Sequence, residues 1–571
     1  IADGLAPGKN SCQVNVSASS TINWHVQLNQ AVTLTAGSPY TLSFSAKADK
    51  NATVDVVVQE VNGAWQTYFT KTLNLTDQWQ RFEFVFAATN TTISARVNFT
   101  DMAKAIAVYS FADVSFRQGG IIPGTNADET DFNSVKIFEA ADRADRTGAA
   151  KDDWVDFLWK KEEHYWGSMN NYVKVSLSAK ALTVGTVIGN STPNLMNLFD
   201  VIDSHAYWQH PSYAGEQWVS PWWVNNSSVL SKSDGGTISA LSMKRVEGKP
   251  FTVTEYNHPF PNSFNAEAYS ILGAYASFQD WDAIYGYTYG DGNTNWSISK
   301  LDGFFDIDMD PGKWAKMLHA ALMFRRGDIS SAVSKVTVPI TTAQELGLLT
   351  GAGPWRLIDA QDAGMPPAAS LMHRISIIAE GGTNPAGALS PADITVPGSG
   401  IYTSDTNQLN WDSSARVLKI DSPKTKGVIG NNINIEYNLS GVIIRPLSSM
   451  QNWSSIMMSV AQGGTFASGA EKIFITAAGF SSNTGVNYRL YPSGASAGFP
   501  PAANADINTS SFGSGPTITE GIGAEFVLPY PSANVKVYSL DNTGARILSL
   551  PVSDESGNAK FQISDAHKTL W

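Results

Sequence analysis

The sequence carries one cysteine, Cys12, in 571 residues. No intrachain disulfide can form, and zinc sites built from four cysteines, or from two cysteines and two histidines, are excluded. Charge is also scarce, at 16% of residues, against about one quarter in an ordinary globular chain. Lys and Arg total 39 against 51 Asp and Glu, a net charge of −12. No basic patch is visible, which argues against a nucleic-acid partner, since neutralising phosphates needs clustered Lys and Arg. No apolar run reaches the roughly 18 residues that would span a bilayer. The chain does not begin with Met and shows no signal-peptide pattern at Ile1, so Ile1 reads as a processed or truncated start.

Aromatic residues are abundant: 17 Trp, 19 Tyr and 26 Phe, beside 47 Gly and many Thr, Ser and Asn. At 43% hydrophobic the chain can build several cores, and its length suggests three or four domains. This composition describes a β-rich protein, secreted or at the cell surface, that meets neutral polar ligands. Asn-x-Ser/Thr triplets recur, among them Asn51, Asn98 and Asn438. They would carry glycans in a eukaryotic secretory protein and mean little in a bacterial one.

Four regions follow from the pattern. Residues 1–118 read as an all-β sandwich or jelly roll, with alternating segments at Trp24–Leu28, Tyr40–Ala46, Thr53–Val58, Gln80–Ala87, Ile93–Asn98 and Ile106–Phe116. Residues 119–150 form a Gly- and Asp-rich linker. Residues 151–330 read as α/β: a helix capped by Asp152 or Asp153, then strands at Ala181–Ile188, Leu198–Tyr207, Phe251–Tyr256 and Ala283–Tyr289, with helices Ile238–Val246, Ala266–Trp281 and Pro311–Arg325. Residues 331–571 lose the helical pattern and read as one or two β-sandwich accessory domains, with strands such as Val417–Ile420 and Ile473–Ala478.

The sharpest chemical feature is Val253-Thr254-Glu255-Tyr256-Asn257-His258, an apolar strand that ends in a carboxylate. In a βα protein, active sites collect at that end of the strands. A Glu there can equally pair with a neighbouring Lys or Arg. The preceding strand ends in Asp203-Ser204-His205-Ala206-Tyr207-Trp208, which sets His205 and Tyr207 beside Glu255. Trp218, Trp222 and Trp223 crowd the next loop, and Tyr285-Gly286-Tyr287-Thr288-Tyr289 with Trp296 closes the series. Each ring alone is most simply core packing. Several in strand-end loops together suggest a glycan cleft, since aromatic faces stack on the C–H faces of sugars.

Two resemblances follow from these residues. The order Trp24-His25-Val26-Gln27-Leu28, Gly37 to Ala48, Leu75 to Gln80 and Phe82-Glu83-Phe84 resembles carbohydrate-binding modules of the 4/9 type. Trp24, Trp65 and Tyr68, with His25 and Trp79, are candidates for its ligand face, Trp79 being the one best explained as structural. The resemblance also implies a structural Ca²⁺, for which no ligand set stands out. Asp152 to Arg326 resembles the second half of a clan A glycoside hydrolase, a (β/α)8 barrel of the cellulase and mannanase type. There Ser204-His205-Ala206-Tyr207 would match the sixth strand, Thr254-Glu255-Tyr256 the seventh and Trp281 to Tyr289 the eighth.

That resemblance implies a retaining hydrolase of a β-linked polysaccharide that needs no cofactor. Glu255 would be the nucleophile, positioned by His205 and by Tyr207, whose hydrogen bond keeps it ionised. Trp208, Trp222, Trp223, Tyr256, Asn257, His258, Tyr287 and Trp296 would line subsites. A second carboxyl about 5–5.5 Å away would be the acid/base. The family's Asn-Glu dipeptide is absent from the chain, and Glu139 is a weak substitute. A four-stranded half barrel would expose edges and lining, so a second chain or further N-terminal segment is expected to complete it and to bring the acid/base. Ser404 to Thr425 resembles β-domains appended to such hydrolases. The rival class is a non-catalytic glycan-binding or cell-surface structural protein on a hydrolase-like scaffold.

Overall fold

A computed structural model describes residues 10–63, 65–120, 148–185, 191–219, 221–290, 297–352 and 357–571. The chain divides into two compact units, Ile1–Leu158 and Trp159–Trp571.

The first unit is a β-sandwich. Its strands are β1 (Cys12–Asn15), β2 (Leu28–Leu34), β3 (Pro39–Ala48), β4 (Ala52–Glu60), β5 (Thr67–Leu75), β6 (Gln80–Ala87), β7 (Thr92–Thr100) and β8 (Val108–Gln118). They form two antiparallel sheets, β1-β8-β3-β6 and β2-β7-β4-β5. Alternation decides which face turns inward: Leu42, Phe44 and Ala46 of β3 and Val54, Val56 and Val58 of β4 are fully buried. Phe44 sits at the centre, edge-on to Phe99 at 4.8 Å and 5.4 Å from Phe82. Two details depart from the sequence reading. Trp24 lies in the turn before β2 rather than in a strand, and β5 was not expected. β5 is an edge strand whose middle, Thr70-Lys71-Thr72, is exposed, so its apolar alternation is interrupted.

The second unit begins within α1 (Gly148–Asn171), which passes into a single π turn, Tyr172–Ser176. Asp152 and Asp153 therefore lie inside the helix and do not cap it, because Ala149 and Ala150 are strong helix formers and extend it upstream. After α2 (Pro193–Met196) come β9 (Ile202–Tyr207), β10 (Ser212–Tyr213), β11 (Trp222–Asn225), α3 (Gly236–Ser242), β12 (Phe251–Asn257), α4 (Ala268–Phe278), β13 (Ala283–Ile284) and α5 (Pro311–Arg325). β13, β12 and β9 form a parallel sheet in that order.

Three regular strands stand where four were expected. Among the described residues the Ala181–Ile188 segment contributes one parallel bridge, Val184 to Val201. The last strand is shorter than the expected Ala283–Tyr289. Beyond Ile284 the chain is drawn sideways, with Thr288 N–H donating to Phe305 and Ile307 N–H to Thr288. Gly286 permits this bend: a Cβ there would lie 2.8 Å from Ile307 and 2.9 Å from the Tyr269 hydroxyl.

The region after 331 is not purely β. β14 (Lys335–Ile340) and β15 (Arg374–Ala379) pair in parallel around α6 (Thr342–Ala352). A six-stranded antiparallel sheet then runs from Ile401–Thr403 to Ala470–Ala478, and a five-stranded sheet is built on Val442–Ser448, Gly523–Leu528 and Asn558–Ile563. No core boundary falls near 330. One buried cluster joins Trp208, Phe264, Tyr275 and Phe278 to Trp411, Leu418, Trp453 and Met457. α4 and α5 approach closely at Gly273, where a Cβ would lie 2.7 Å from the Ala320 backbone.

Phe44→Ala is expected to cost the first unit about 3–5 kcal/mol, as for other fully buried Phe truncations. Calorimetry of the full chain should show one transition moving down while the other stays. An unmoved thermogram would contradict the assignment of Phe44 to the centre of that core.

Candidate functional site

The parallel register sets Glu255 beside His205 and Asn257 beside Tyr207, with an irregularity between Thr252 and Glu255. Period-two alternation places Asp203, His205 and Tyr207 on one face of β9. The irregularity turns both Thr254 and Glu255 of β12 toward that face. The Tyr207 hydroxyl donates to Glu255 Oε2, and His205 Nδ1 lies 3.1 Å from the same oxygen. His205 Nε2 is 2.6 Å from Thr254 Oγ1 and 3.2 Å from Asp203 Oδ2. Asp203 is buried and accepts from Thr252 Oγ1 at 2.6 Å and Thr254 Oγ1 at 2.9 Å. The imidazole thus bridges two carboxylates. Asp203 and Thr254 were not singled out from sequence, although the Asp-x-His-x-Tyr spacing carries the signal.

The side chain of Glu255 is 32% exposed and that of His205 is 9% exposed. Tyr207 is half-buried, and burial together with the Glu255 hydrogen bond raises its hydroxyl well above the ordinary tyrosine range. It remains a donor at any physiological pH. Its ring stacks on Phe305 at 4.5 Å and meets Tyr287 edge-on at 6.1 Å. His210 links Tyr207 to Trp218, at 5.4 and 5.6 Å. Trp218, 57% exposed, lies nearly parallel to Phe304 at 6.1 Å. An aromatic strip therefore leads from Glu255 to an open indole face.

The expected sugar-lining residues divide. Tyr287 is 37% exposed and adjoins the strip. Trp222 is half-buried, with its ring against Phe304 and Phe512. Trp223 is also half-buried and stacks flat on Tyr491 at 3.7 Å, so that face is covered. Four expectations are corrected. Trp208 is a core residue whose indole N–H donates to the Ser227 carbonyl. Tyr256 is fully buried, bonded to Thr237 and His258. Asn257 is fully buried and holds the Tyr287 and Phe305 carbonyls, which makes it a brace for the aromatic strip. His258 is fully buried, with Nδ1 3.6 Å from Glu267. The irregular register accounts for Tyr256, which turns away from the face shared by Thr254 and Glu255, while Trp208 follows Tyr207 and turns to the side opposite it. Trp296 and Glu139 lie outside the described residues.

In the first unit, Trp24 is 66% exposed and Trp65 is 53% exposed. The Trp24 loop is pinned to the end of β7, since the Asn23 carbonyl accepts from Asp101 N–H and Thr100 Oγ1. Trp65 carries Arg96 of β7 over its ring at 5.8 Å. Both indoles therefore border the β2-β7-β4-β5 sheet. Arg96 and Thr100 are four residues apart on β7, about 13 Å of strand. His25 meets Trp24 edge-on at 6.4 Å. Tyr68 is half-buried and donates to Glu60. Trp79 is half-buried under Lys47. Asn98, on the outer face of β7, is buried and closed to a glycan in the folded state.

Among the described residues no three His, Cys, Asp or Glu side chains converge as a metal site. Asp49, Asp55 and Asp101 are engaged by Val108 N–H, Thr72 and Lys104, so the implied Ca²⁺ finds no acidic cage among them.

Residues 5–101 match the family model described as carbohydrate binding domain, of the 4/9 type. The N-terminal segment is a carbohydrate-binding module. Among solved structures it is similar to a family 4 carbohydrate-binding module at 29% identity, covering 19% of this chain and 71% of that one, with a TM-score of 0.18. It is also similar to two cellulose-binding domains of Cellulomonas fimi β-1,4-glucanase C. The N-terminal one is 17% identical, with 19% and 78% of the two chains covered and a TM-score of 0.17. The second is 24% identical, with 19% and 76% covered and a TM-score of 0.18. No curated protein matches the sequence. Among the described residues no helix is long and apolar enough to cross a membrane.

Beneath the Glu255 site, Glu267 is fully buried and accepts from Ser228 Oγ at 2.6 Å and Val229 N–H at 2.7 Å. Burial pushes its carboxyl up to about 8, against the pull of those two donors. Burial, with Lys313 nearby, holds His258 well below the ordinary histidine range. In the unfolded chain Glu267 ionises near 4.5, so between there and about 8 the fold binds the extra proton. Stability from this group falls as pH rises through that window. His258 has the opposite sign and contributes only below about 6.5. Between pH 6.5 and 8 the wild type should therefore lose about 2 kcal/mol relative to Glu267→Gln. Denaturant melts at several pH values would test this, and parallel curves for the two proteins would refute it.

Proposed function

We propose that the chain is a secreted or cell-surface retaining glycoside hydrolase that holds a neutral, β-linked polysaccharide with its N-terminal module and cleaves it at Glu255. The carrying observation is the convergence of Tyr207 Oη and His205 Nδ1 on one oxygen of a one-third-exposed strand-end carboxylate. Glu255 Oε1 attacks the anomeric carbon as the glycosidic C–O bond breaks, and the leaving oxygen takes a proton from a general acid. Water, deprotonated by that same group, releases the sugar from the Glu255 ester with retention. Tyr287 and Trp218 supply ring faces beside the reacting centre.

The general acid is assigned to a second chain or further segment that docks beside α1. What supports this is exposed apolar surface: Tyr165 and Met169 lie four residues apart on α1, and Tyr172 and Val175 of the π turn, with Leu177 and Leu182 beyond it, extend the strip. Parallel sheets are normally covered on both faces, and this strip and the Val184 edge fit a further βα unit.

For the module, Trp24 and Trp65 flank a length of sheet suited to an extended polymer. Trp24→Ala and Trp65→Ala should each slow the protein less in native gels cast with the recognised polysaccharide, with an affinity loss of about tenfold or more. Migration unchanged by both would place the ligand face elsewhere.

Glu255→Gln should abolish reducing-sugar release across a panel of β-glucan, mannan, xylan and agar, with melting temperature kept. Tyr207→Phe should lower kcat on the order of 10²-fold. Near-wild-type turnover in Glu255→Gln would remove the nucleophile assignment. The second reading, a non-catalytic glycan-binding protein, is favoured by the absent Asn-Glu dipeptide. It predicts polysaccharide retention with no sugar release by the native assembly.

A further inference from the structure

A cavity of about 570 Å³ opens in the C-terminal part of the second unit, within the range of small-ligand sites. It lies between the five-stranded sheet, at the ends of Val442–Ser448, Gly523–Leu528 and Asn558–Ile563, and the Ser481–Thr484 and Ser514–Thr519 pair. Phe499, Met450 and Ile518 line it, each more than half exposed. Gln562 and Ser564 add polar groups from the Asn558–Ile563 strand and the residue that follows it. Gly521 keeps the floor low, because a Cβ there would meet the Asp565 backbone at 2.8 Å.

We propose that this cavity is a second glycan site, separate from the module and from Glu255, that takes a short segment of an uncharged oligosaccharide. The lining contains no Lys, Arg or His, and its two acids are Glu520 and Asp565. A phosphorylated, sulfated or uronic-acid ligand would find no counter-charge and would face repulsion. Glu520 already accepts from Met450 N–H and Phe480 N–H, so it braces the rim. A wholly apolar ligand would leave the Gln562 amide desolvated without a partner. A sugar ring answers both demands, with a C–H face for Phe499 and hydroxyls for Gln562, Ser564 and Asp565. Phe499 is held for this by ring contacts to Phe480 at 5.6 Å and Tyr488 at 6.2 Å. A cationic peptide attracted by Asp565 is the rival occupant.

The test uses the full chain carrying Trp24→Ala, Trp65→Ala, Trp218→Ala and Glu255→Gln, so that the ring faces proposed for the module and the cleft are removed, hydrolysis is stopped, and failure of those readings cannot mask this one. Neutral β-1,4-gluco-, β-1,4-manno-, β-1,4-xylo- and β-1,3-gluco-hexasaccharides are titrated at millimolar concentration by calorimetry and ligand-observed NMR. At least one should bind one per chain. Phe499→Ala should weaken it about tenfold, and Gln562→Ala should weaken it measurably, with melting temperatures unchanged because both side chains are exposed. Absence of binding by all four overturns the proposal. So does binding indifferent to both substitutions, or saturation by penta-lysine that Asp565→Asn abolishes.

Discussion

The geometry of the second unit turns on one contact set, in which Tyr207 and His205 both reach Oε2 of Glu255 across two parallel strands. A regular ladder would point Thr254 and Glu255 to opposite faces. The register irregularity after Thr252 brings both onto the Asp203 face. Asp203, locked by two threonine hydroxyls, then fixes the imidazole from behind. The orienting groups are themselves oriented, so the carboxylate is held without being buried.

That arrangement needs a rigid platform, and the platform is not the parallel sheet alone. α4 is buried along its length, and the core it belongs to continues into the six-stranded antiparallel sheet through Trp411, Trp453 and Met457. The loop after β9 is extended in the same way, since β11 pairs with Asp506–Thr509 and Trp223 stacks on Tyr491. The region after 331 therefore forms part of the unit that presents Glu255, and truncating it would unroof the core under α4.

The sequence displayed Glu255, His205 and Tyr207 because strand ends and period-two spacing are local signals. It also displayed most of the module's strands, where Val54, Val56 and Val58 alternate cleanly. It did not display the fate of Trp208, Tyr256, Asn257 and His258. Their burial depends on partners elsewhere in the chain, such as Ser227, Thr237, Phe305 and Glu267, and for Tyr256 on an irregularity that no residue type announces. The cover on Trp223 comes from Tyr491, 268 positions later. Trp218 points the other way: a loop tryptophan at φ 70°, stacked on Phe304, it still stays 57% exposed.

In the proposed enzyme, the docking of a further βα unit would join the Glu255 site to the strip along α1 through their exposure to solvent. At 32% exposure Glu255 still meets water, which weakens what Tyr207 and His205 do for it, because charge–dipole attraction scales inversely with the local dielectric. Tyr207 is half-buried and stays protonated, so its donor is permanent. Covering Tyr165, Met169, Tyr172 and Leu182 with a further βα unit would remove apolar area from water at about 25 cal/mol per Å². In the proposed enzyme the same event would supply the missing wall and dry the trench. Docking and catalysis would then be thermodynamically coupled, and the isolated chain would bind glycan through its module while turning it over slowly.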